Sequence, residues 1–181
     1  MPIIFRKLTE EEEEHLDKEL TYWLAEENKQ LLYKENRFIV AEGNWKELFI
    51  LNPKTFDLLI NNEAISPYSV GLGFGEYKKT GLILSLGGGG ILSSQTEKVA
   101  IIKDETEQVF LHKRDILSKS IIKIAFNVNI GDKVIIQNTK NEFLGIGKLE
   151  QILDDIIQHK DQRSVALKNV LDLGWYLRKG K

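Results

Sequence analysis

Residues 66–81, SPYSVGLGFGEYKKTG, decide between two kinds of fold for the first half of this chain. Glycines at alternate positions (Gly71, Gly73 and Gly75), followed by two lysines and a threonine, invite comparison with a phosphate-binding loop. A Walker loop, however, places its lysine directly after the last glycine and opens a helix, and a dinucleotide fingerprint ends in two glycines three residues apart. Here Glu76 follows Gly75, and YKKTGLILSL has the composition of a strand. The stretch therefore predicts a strand with one bare face, closely approached by a neighbouring backbone or ring, and no nucleotide cofactor.

The segments before this stretch predict helices beside a hairpin. Thr9 and Glu12 form a capping box, and the apolar stripe that follows predicts one helix over TEEEEEHLDKELTYWLAEE. NRFIVAEGN and WKELFILN, separated by a Gly-Asn pair, predict a β-hairpin, and the next Asn-Pro pair predicts the start of a short helix, KTFDLLINN. Residues 1–95 are therefore predicted to form a helix-flanked, largely antiparallel sheet.

From residue 96 onward the pattern changes to closely spaced strands. KVAIIK predicts a strand, and DETEQVFLHKRDIL predicts a helix opened by a capping box of Asp104 and Glu107. IIKIAFN, DKVIIQN and FLGIGKL then recur at spacings of about ten residues, and RSVALKNVLDLGWYLRKGK predicts a last strand followed by a turn of helix. This rhythm predicts a small closed or half-closed β-barrel. The fold class is α+β, with domains at 1–95 and 96–181.

Composition excludes several classes of protein. Of 181 residues, 42% are hydrophobic and 29% are charged, which is typical of a globular protein and not of a disordered one. The absence of cysteine excludes disulfides, zinc ribbons and thiol nucleophiles. No apolar run has the length of a membrane span, and the start does not resemble a signal peptide, so we expect a cytoplasmic protein without membrane contact. The isoleucine-rich, cysteine-free composition favours an archaeal source.

Catalytic constellations do not stand out in the sequence. The three histidines, His15, His112 and His159, are scattered, and no serine lies in a G-x-S-x-G elbow. The carboxylates fall on predicted helix caps and solvent faces. We therefore predict a protein that is not an enzyme and that has no catalytic residues, no metal site and no cofactor.

Charge is divided unevenly along the chain. Residues 1–95 carry 10 Lys and Arg against 15 Asp and Glu, whereas residues 96–181 carry 15 against 12. A basic second half suggests a polyanionic partner, although a basic tail can also merely solvate a chain end. The candidate RNA-binding cations are Lys160, Arg163, Lys168, Arg178 and Lys179.

Two aromatic residues accompany these cations. Cations bind phosphates while an aromatic face stacks on a base, which is how single-stranded RNA is usually held. Trp175 is a candidate for stacking or for the core, and Tyr176 is expected in the core because LDLGWYL has the composition of buried packing.

Several stretches together resemble the Nip-seven family of ribosome-biogenesis proteins of eukaryotes and archaea. SVGLGFGEYKKT resembles the family's L-G-x-x-F-G-x-F-x-K-T segment, with Val70 at the position of the leucine. LTEEEE is similar to its opening helix, LFILNPKTFDLL to its strand-then-helix segment, and KVAIIKDETEQVFLHKRDILSKSI to the start of a PUA domain. FLGIGKL resembles the PUA glycine strand, and the family's D-x-G-x-Y-[LV]-R ending is met by Asp172, Gly174, Tyr176 and Arg178.

This resemblance implies a fold, a function and a set of partners. The fold is an N-terminal pre-PUA domain followed by a PUA-type β-pseudobarrel. The function is that of a non-enzymatic RNA-binding factor in large-subunit biogenesis and pre-rRNA processing, with RNA contacts from Lys160, Arg163 and Lys168. The implied partners are single-stranded regions of pre-rRNA and, through the N-terminal domain, ribosome-assembly proteins. We expect a monomer that is cytoplasmic, or nucleolar or nuclear in a eukaryote.

Two departures from the family pattern carry expectations of their own. Lys113 and Ser120 occupy what look like the glycine positions after the first PUA helix, so Lys113 and Arg114, with Trp175, form a possible secondary RNA contact. The four glycines at 87–90 replace ordinary strand residues, and we expect a flexible turn or bulge between hairpin strands there.

Two alternatives from other classes stay open at this point. One is an RNA-modifying enzyme that uses the PUA domain as its RNA anchor and the N-terminal glycines to hold a nucleotide-like cofactor. The other is an assembly scaffold whose acidic N-terminal face docks a protein partner.

Overall fold

The computed structural model describes residues 3–62, 67–158 and 163–179. The chain divides into two compact units, Met1–Gln95 and Thr96–Lys181. Among the described residues, none of the helices combines the length and the apolar character needed to cross a membrane.

The first unit is a five-stranded antiparallel sheet with helices around it. Its strands follow the order β1-β2-β3-β4-β5, so each strand pairs with its neighbour in sequence. The predicted helix-flanked antiparallel sheet is confirmed. The elements are β1 Ile4–Arg6, α1 Glu10–Trp23, α2 Glu26–Glu35, β2 Arg37–Glu42, β3 Lys46–Leu51, α3 Pro53–Ile60, β4 Leu72–Lys78, β5 Gly81–Leu84 and α4 Leu86–Leu92.

The capping box at the start of α1 is confirmed, but the helix is shorter than predicted. The Glu12 amide donates to Thr9 Oγ1 at 3.3 Å, and the Thr9 amide donates to Glu12 Oε2 at 2.9 Å. The helix ends at Trp23 because Leu24 adopts an extended conformation with φ −118°, and its amide still donates to the Leu20 carbonyl at 2.8 Å. This break buries Leu24 and turns the chain into α2, which the sequence pattern did not predict, as it did not predict β1.

The glycine-rich strand has the close approaches that its spacing predicted. A Cβ at Gly75 would lie 2.6 Å from the Ile83 carbonyl oxygen of β5. Gly71 has φ +56°, and a Cβ there would overlap the Ile50 carbonyl oxygen of β3. Neighbouring strands therefore occupy the space beside these glycines.

The four glycines at 87–90 form most of a helix, so the predicted flexible turn or bulge is wrong. Ser85 caps α4, since its Oγ accepts the Gly88 amide at 3.2 Å. Side chains at Gly87 and Gly88 would overlap the carbonyl oxygens of Gly73 and Phe74. Glycine is therefore required for close packing of α4 on β4, which outweighs its low helix propensity.

The second unit is a curled half-barrel of six strands. The strand order is β7-β11-β10-β9-β6-β8, and every pair is antiparallel except β6 with β9. The predicted PUA-type pseudobarrel, and with it the α+β class, is confirmed. The elements are β6 Val99–Ile102, α5 Asp104–Leu111, β7 Ile116–Leu117, β8 Ile121–Ile124, β9 Lys133–Gln137, β10 Phe143–Leu149, α6 Leu153–Ile157, β11 Val165–Asp172 and α7 Gly174–Lys179.

The half-barrel encloses its own apolar core, centred on fully buried residues of β6, α5, β9 and β11. The predicted Asp104–Glu107 capping box does not form, because Lys103 is the N-cap residue and makes no side-chain cap bond. Asp104 instead accepts Thr139 Oγ1 at 2.6 Å, and Glu107 accepts the Asn138 amide nitrogen at 3.2 Å. These tertiary partners, about thirty residues away along the chain, replace the local cap.

Candidate nucleic-acid interface

The carboxyl end of α5 is closed by a Schellman motif in which lysine takes the place of glycine. The Lys113 amide donates to the Phe110 carbonyl at 2.9 Å, and the Arg114 amide donates to the Val109 carbonyl at 3.3 Å. Lys113 has φ +64°, in the left-handed region that glycine adopts most easily. The position therefore has the backbone geometry of a glycine turn but presents a cation to solvent. We call residues 112–115 the α5–β7 turn.

Asn169 of β11 ties this turn to the sheet. Its side-chain amide donates to the Phe110 carbonyl at 2.8 Å, and its backbone amide donates to Asp115 Oδ1 at 2.8 Å. Lys168, the preceding residue, is exposed. The turn that carries Lys113 and Arg114 is therefore held at β11, beside Lys168.

Arg178 of α7 contacts the same end of α5 and completes an internal ion pair. Its guanidinium binds the buried Asp172 carboxylate in a bidentate manner, at 2.9 and 3.0 Å, and also donates to the Leu111 carbonyl. This pair raises the pKa of Arg178 above its ordinary value. Gly174 makes the approach possible, since a side chain there would overlap the Leu111 carbonyl oxygen. The D-x-G-x-Y-L-R ending therefore acts as a clamp between α7 and α5.

The clamp leaves two aromatic rings facing solvent. Trp175 is 40% exposed and Tyr176 is 60% exposed, so the expectation that Tyr176 lies in the core is wrong. The rings contact each other edge to face, with centroids 5.2 Å apart and planes at 86°. Asp172 and Arg178 occupy the inward side of this end of the chain, and for that reason the aromatic pair is directed outward.

The structure brings together some of the predicted site residues and leaves others apart. Lys113, Arg114, Lys168 and the Trp175 ring all lie on segments joined by the Asn169 and Arg178 contacts. Arg163 is exposed and lies two residues before the start of β11. Arg178 takes part in the clamp. Lys160 and the Lys179 side chain lie outside the described residues and atoms.

Two cations that the sequence pattern missed lie on the two strands that follow β11 in the sheet, in line with Lys168. Lys148 of β10 is the register partner of Lys168 on β11 and of Lys133 on β9. Lys133 and Lys148 are half-buried, and Lys148 Nζ lies 3.4 Å from Glu150 Oε1. The sequence alone does not reveal this alignment, because it depends on the register of the strands.

The described part of the chain contains no cluster of side chains suited to bind a metal ion. Among those residues, no group of three or more His, Cys, Asp or Glu could hold a metal ion. His112, one of the three scattered histidines, is exposed, and its Nδ1 lies 2.8 Å from the carbonyl oxygen of Gln108 in α5.

Comparison with solved structures finds similar folds in three proteins. A hypothetical protein of Pyrococcus horikoshii OT3 matches with a TM-score of 0.65 at 16% identity, over 93% of this chain and 94% of that one. A PUA-domain protein from Aeropyrum pernix K1 matches with a TM-score of 0.61 at 13% identity, over 98% of this chain and 91% of that one. A conserved PUA-domain protein from Thermoplasma acidophilum gives 0.56 at 13% identity, over 87% and 97%. At these identities the likeness establishes the fold alone.

Family comparison assigns both halves of the chain. No curated protein sequence matches it significantly. The pre-PUA domain of NIP7/UPF0113 matches residues 5–86, and the UPF0113 PUA domain matches residues 98–181. PUA domains bind RNA, so the matches indicate RNA binding. Carrying both domains in this order, the chain belongs to the NIP7/UPF0113 family.

Proposed function

We propose that this protein is a non-enzymatic RNA-binding factor in large ribosomal subunit biogenesis and pre-rRNA processing. One observation carries the proposal: the α5–β7 turn and the Trp175–Tyr176 pair both face solvent, and the Arg178 clamp holds α7, which carries the two rings, at the end of α5. Membership of the NIP7/UPF0113 family supports the assignment to ribosome assembly.

The chemistry of this surface suits single-stranded RNA. Lys113 and Arg114 are exposed at the left-handed turn and can each neutralise a phosphate, while Lys168 extends the charge along β11. An exposed aromatic face offers a stacking platform for an unpaired base. Arg163, and by sequence Lys160 and Lys179, add cations to the same part of the chain.

The first unit is proposed to dock ribosome-assembly proteins. Glu12 is turned into the protein, whereas Glu10, Glu13, Glu14 and Asp17 line a shallow open groove on the outer side of α1. A basic partner protein would complement this surface. Gly71, just before β4, and Gly75 in β4 are unsuited to hold a nucleotide, because carbonyl oxygens of β3 and β5 occupy the space beside them.

RNA binding is tested by measuring the anisotropy of a labelled single-stranded oligouridylate over a range of salt concentrations. Changing Lys113 and Arg114 to alanine should weaken binding and make the log–log salt slope shallower by about 1.4, from about 0.7 per phosphate contact. The matched control changes Lys54 and Lys79, two exposed lysines of the first unit, and should alter the slope less. An unchanged slope in the K113A/R114A variant would place the interface elsewhere.

The role in ribosome assembly needs a separate experiment. Crosslinking the protein to RNA in cell extract and sequencing the attached fragments should recover large-subunit rRNA or its precursor. Recovery of transfer RNA or messenger RNA in its place would contradict this part of the proposal while leaving RNA binding intact.

A further inference from the structure

Three lysines lie side by side across three neighbouring strands of the second unit. Lys133 on β9, Lys148 on β10 and Lys168 on β11 are paired in register. Directly opposed residues of antiparallel strands project from the same face, with Cβ atoms about 5 Å apart. We call these residues the lysine row.

The lysine row lies on the face of the sheet turned away from the half-barrel core. Leu149 and Leu167, the residues next to Lys148 and Lys168, are paired with each other and belong to that core. Side chains alternate between the two faces along a strand, so the lysines point the opposite way. Lys168 is exposed, and Lys133 and Lys148 are half-buried.

This arrangement is electrostatically unfavourable in the isolated protein. Like charges placed directly opposite each other on a sheet repel and destabilise it. The exposed Glu150 lies 3.4 Å from Lys148 Nζ and offsets part of this repulsion, and Lys133 makes further contacts of its own. A polyanion laid across the strands would relieve the repulsion that these contacts leave.

We propose that the lysine row is a track for RNA backbone phosphates that crosses β11, β10 and β9. The inference rests on the proposed function and extends the interface beyond the α5–β7 turn, since β10 and β9 follow β11 in the sheet on the side away from β7. Phosphate contacts position a nucleic acid without reading its bases. The row therefore supplies affinity that does not depend on sequence, and any base discrimination falls to the aromatic pair.

The test compares the intact chain with a K133A/K148A variant, which leaves Lys168 and the α5–β7 turn unchanged. With a labelled oligouridylate, we expect weaker binding and a salt slope shallower by about 1.4, for two lost phosphate contacts. The control variant, K123A/K140A, removes the same charge from exposed lysines of the same unit that lie outside the row. It should change the slope less.

A Lys148→Glu substitution separates a binding role from a structural one. It reverses the charge in the middle of the row, so it should weaken RNA binding more than alanine does and make the salt slope shallower. The thermal midpoint should change little, because attraction to the two lysines is offset by repulsion from Glu150. A purely structural role for Lys148 predicts a lower midpoint and an unchanged salt slope, and that result would overturn the proposal.

Failure of the lysine row differs from failure of the proposed function. If K133A/K148A binds like the unchanged protein while K113A/R114A loses binding, the row is overturned and the interface at the turn stands. If the unchanged protein binds neither oligouridylate nor rRNA fragments, both proposals fall.

Discussion

At the scale of single residues, Lys113 combines a strained backbone with an exposed charge. Its φ of +64° is one that side chains rarely adopt. The sequence pattern identified this position as a departure from a glycine, and the structure shows that the glycine geometry is kept. The outward position of Tyr176, by contrast, could not be predicted, because it depends on the Asp172–Arg178 pair drawing the other side of α7 inward.

Replacing Lys113 with glycine should stabilise the protein and weaken RNA binding. The left-handed conformation costs a lysine about 1–2 kcal/mol, and glycine removes this cost. Glycine also has more conformational freedom in the unfolded chain, which opposes folding, so we expect a net increase in the free energy of unfolding of about 0.5–1 kcal/mol. Urea unfolding measures the stability and anisotropy measures the binding. Lys113→Ala is the matched control, since it removes the charge but retains the strain. A loss of stability in the glycine variant would contradict this account of the turn.

Glu12 stabilises the first unit to an extent that depends on pH. Its carboxylate accepts from Arg6 at 2.8 and 2.9 Å and lies 3.0 Å from Lys46 Nζ. The hydrogen bonds with Arg6 are the main cause that lowers the pKa of Glu12 from 4.5 to about 2. A lowered pKa means that the unfolded chain takes up the proton first. The stabilisation is therefore complete above pH 4.5 and is lost as the pH falls towards 2.

Glu12→Gln should lower the free energy of unfolding near neutral pH by about 3 kcal/mol, because Arg6 and Lys46 then lose the charge of their buried partner. Denaturant unfolding, measured for both proteins from neutral to acidic pH, gives the size of this loss and its dependence on pH. The difference between the two proteins should shrink as the pH falls through the pKa of Glu12. A difference that is constant with pH would show that the substitution acts through packing alone. Glu47→Gln, on an exposed side chain of β3, is the control.

At the scale of elements, the sequence predicted a helix cap correctly where the hydrogen-bond partners of the cap lie within the same turn. Thr9 and Glu12 cap each other within one turn, so the capping box could be identified from four residues. Glu107 shows the same local pattern, but Asn138 binds its carboxylate from another part of the unit. The helix α4, which contains the glycines 87–90, was not predicted for the same reason, because the need for glycine arises only where α4 packs on β4.

Gly88→Ala should therefore destabilise the first unit although alanine is the better helix former. The added Cβ overlaps the Phe74 carbonyl oxygen, and such overpacking costs about 1–3 kcal/mol. Alanine recovers about 1 kcal/mol through its helix propensity, so we expect a net loss. Thermal unfolding of the full chain provides the measurement. Gly43→Ala, whose Cβ would lie 3.7 Å from the Ile3 side chain, should be nearly neutral; a stabilised Gly88→Ala variant would contradict the packing argument.

At the scale of the whole molecule, each unit has the elements of a separate fold. The change in strand spacing and charge near residue 96 could be seen in the sequence, and the resemblance to a known family supplied the topology. The lysine row could not be found in this way, because it depends on the pairing of residues 133, 148 and 168 across two strand interfaces. Register is set by the folded sheet and by its bulges, which sequence spacing does not reveal.

A fragment of residues 96–181 should fold alone and keep most of the RNA affinity. Among the described residues, its main core cluster is made of side chains between Ala100 and Leu167, all within this unit, which is the usual condition for independent folding. Circular dichroism and a cooperative thermal transition test the folding, and anisotropy with oligouridylate tests the affinity. The fragment of residues 1–95 serves as the comparison. RNA affinity that followed this first fragment would contradict the assignment of binding to the PUA domain.

The place of β11 in the sheet has a consequence for how the protein is made. β11 lies between β7 and β10, yet it is synthesised after both of them. Until β11 leaves the ribosome, β7 and β10 each have an unpaired edge, and neither the Asn169 contacts nor the Arg178 clamp can form. The half-barrel therefore closes only after β11 has been synthesised, and the proposed RNA-binding surface becomes complete only at that step. A nascent chain that has not reached β11 has no finished surface with which to capture RNA.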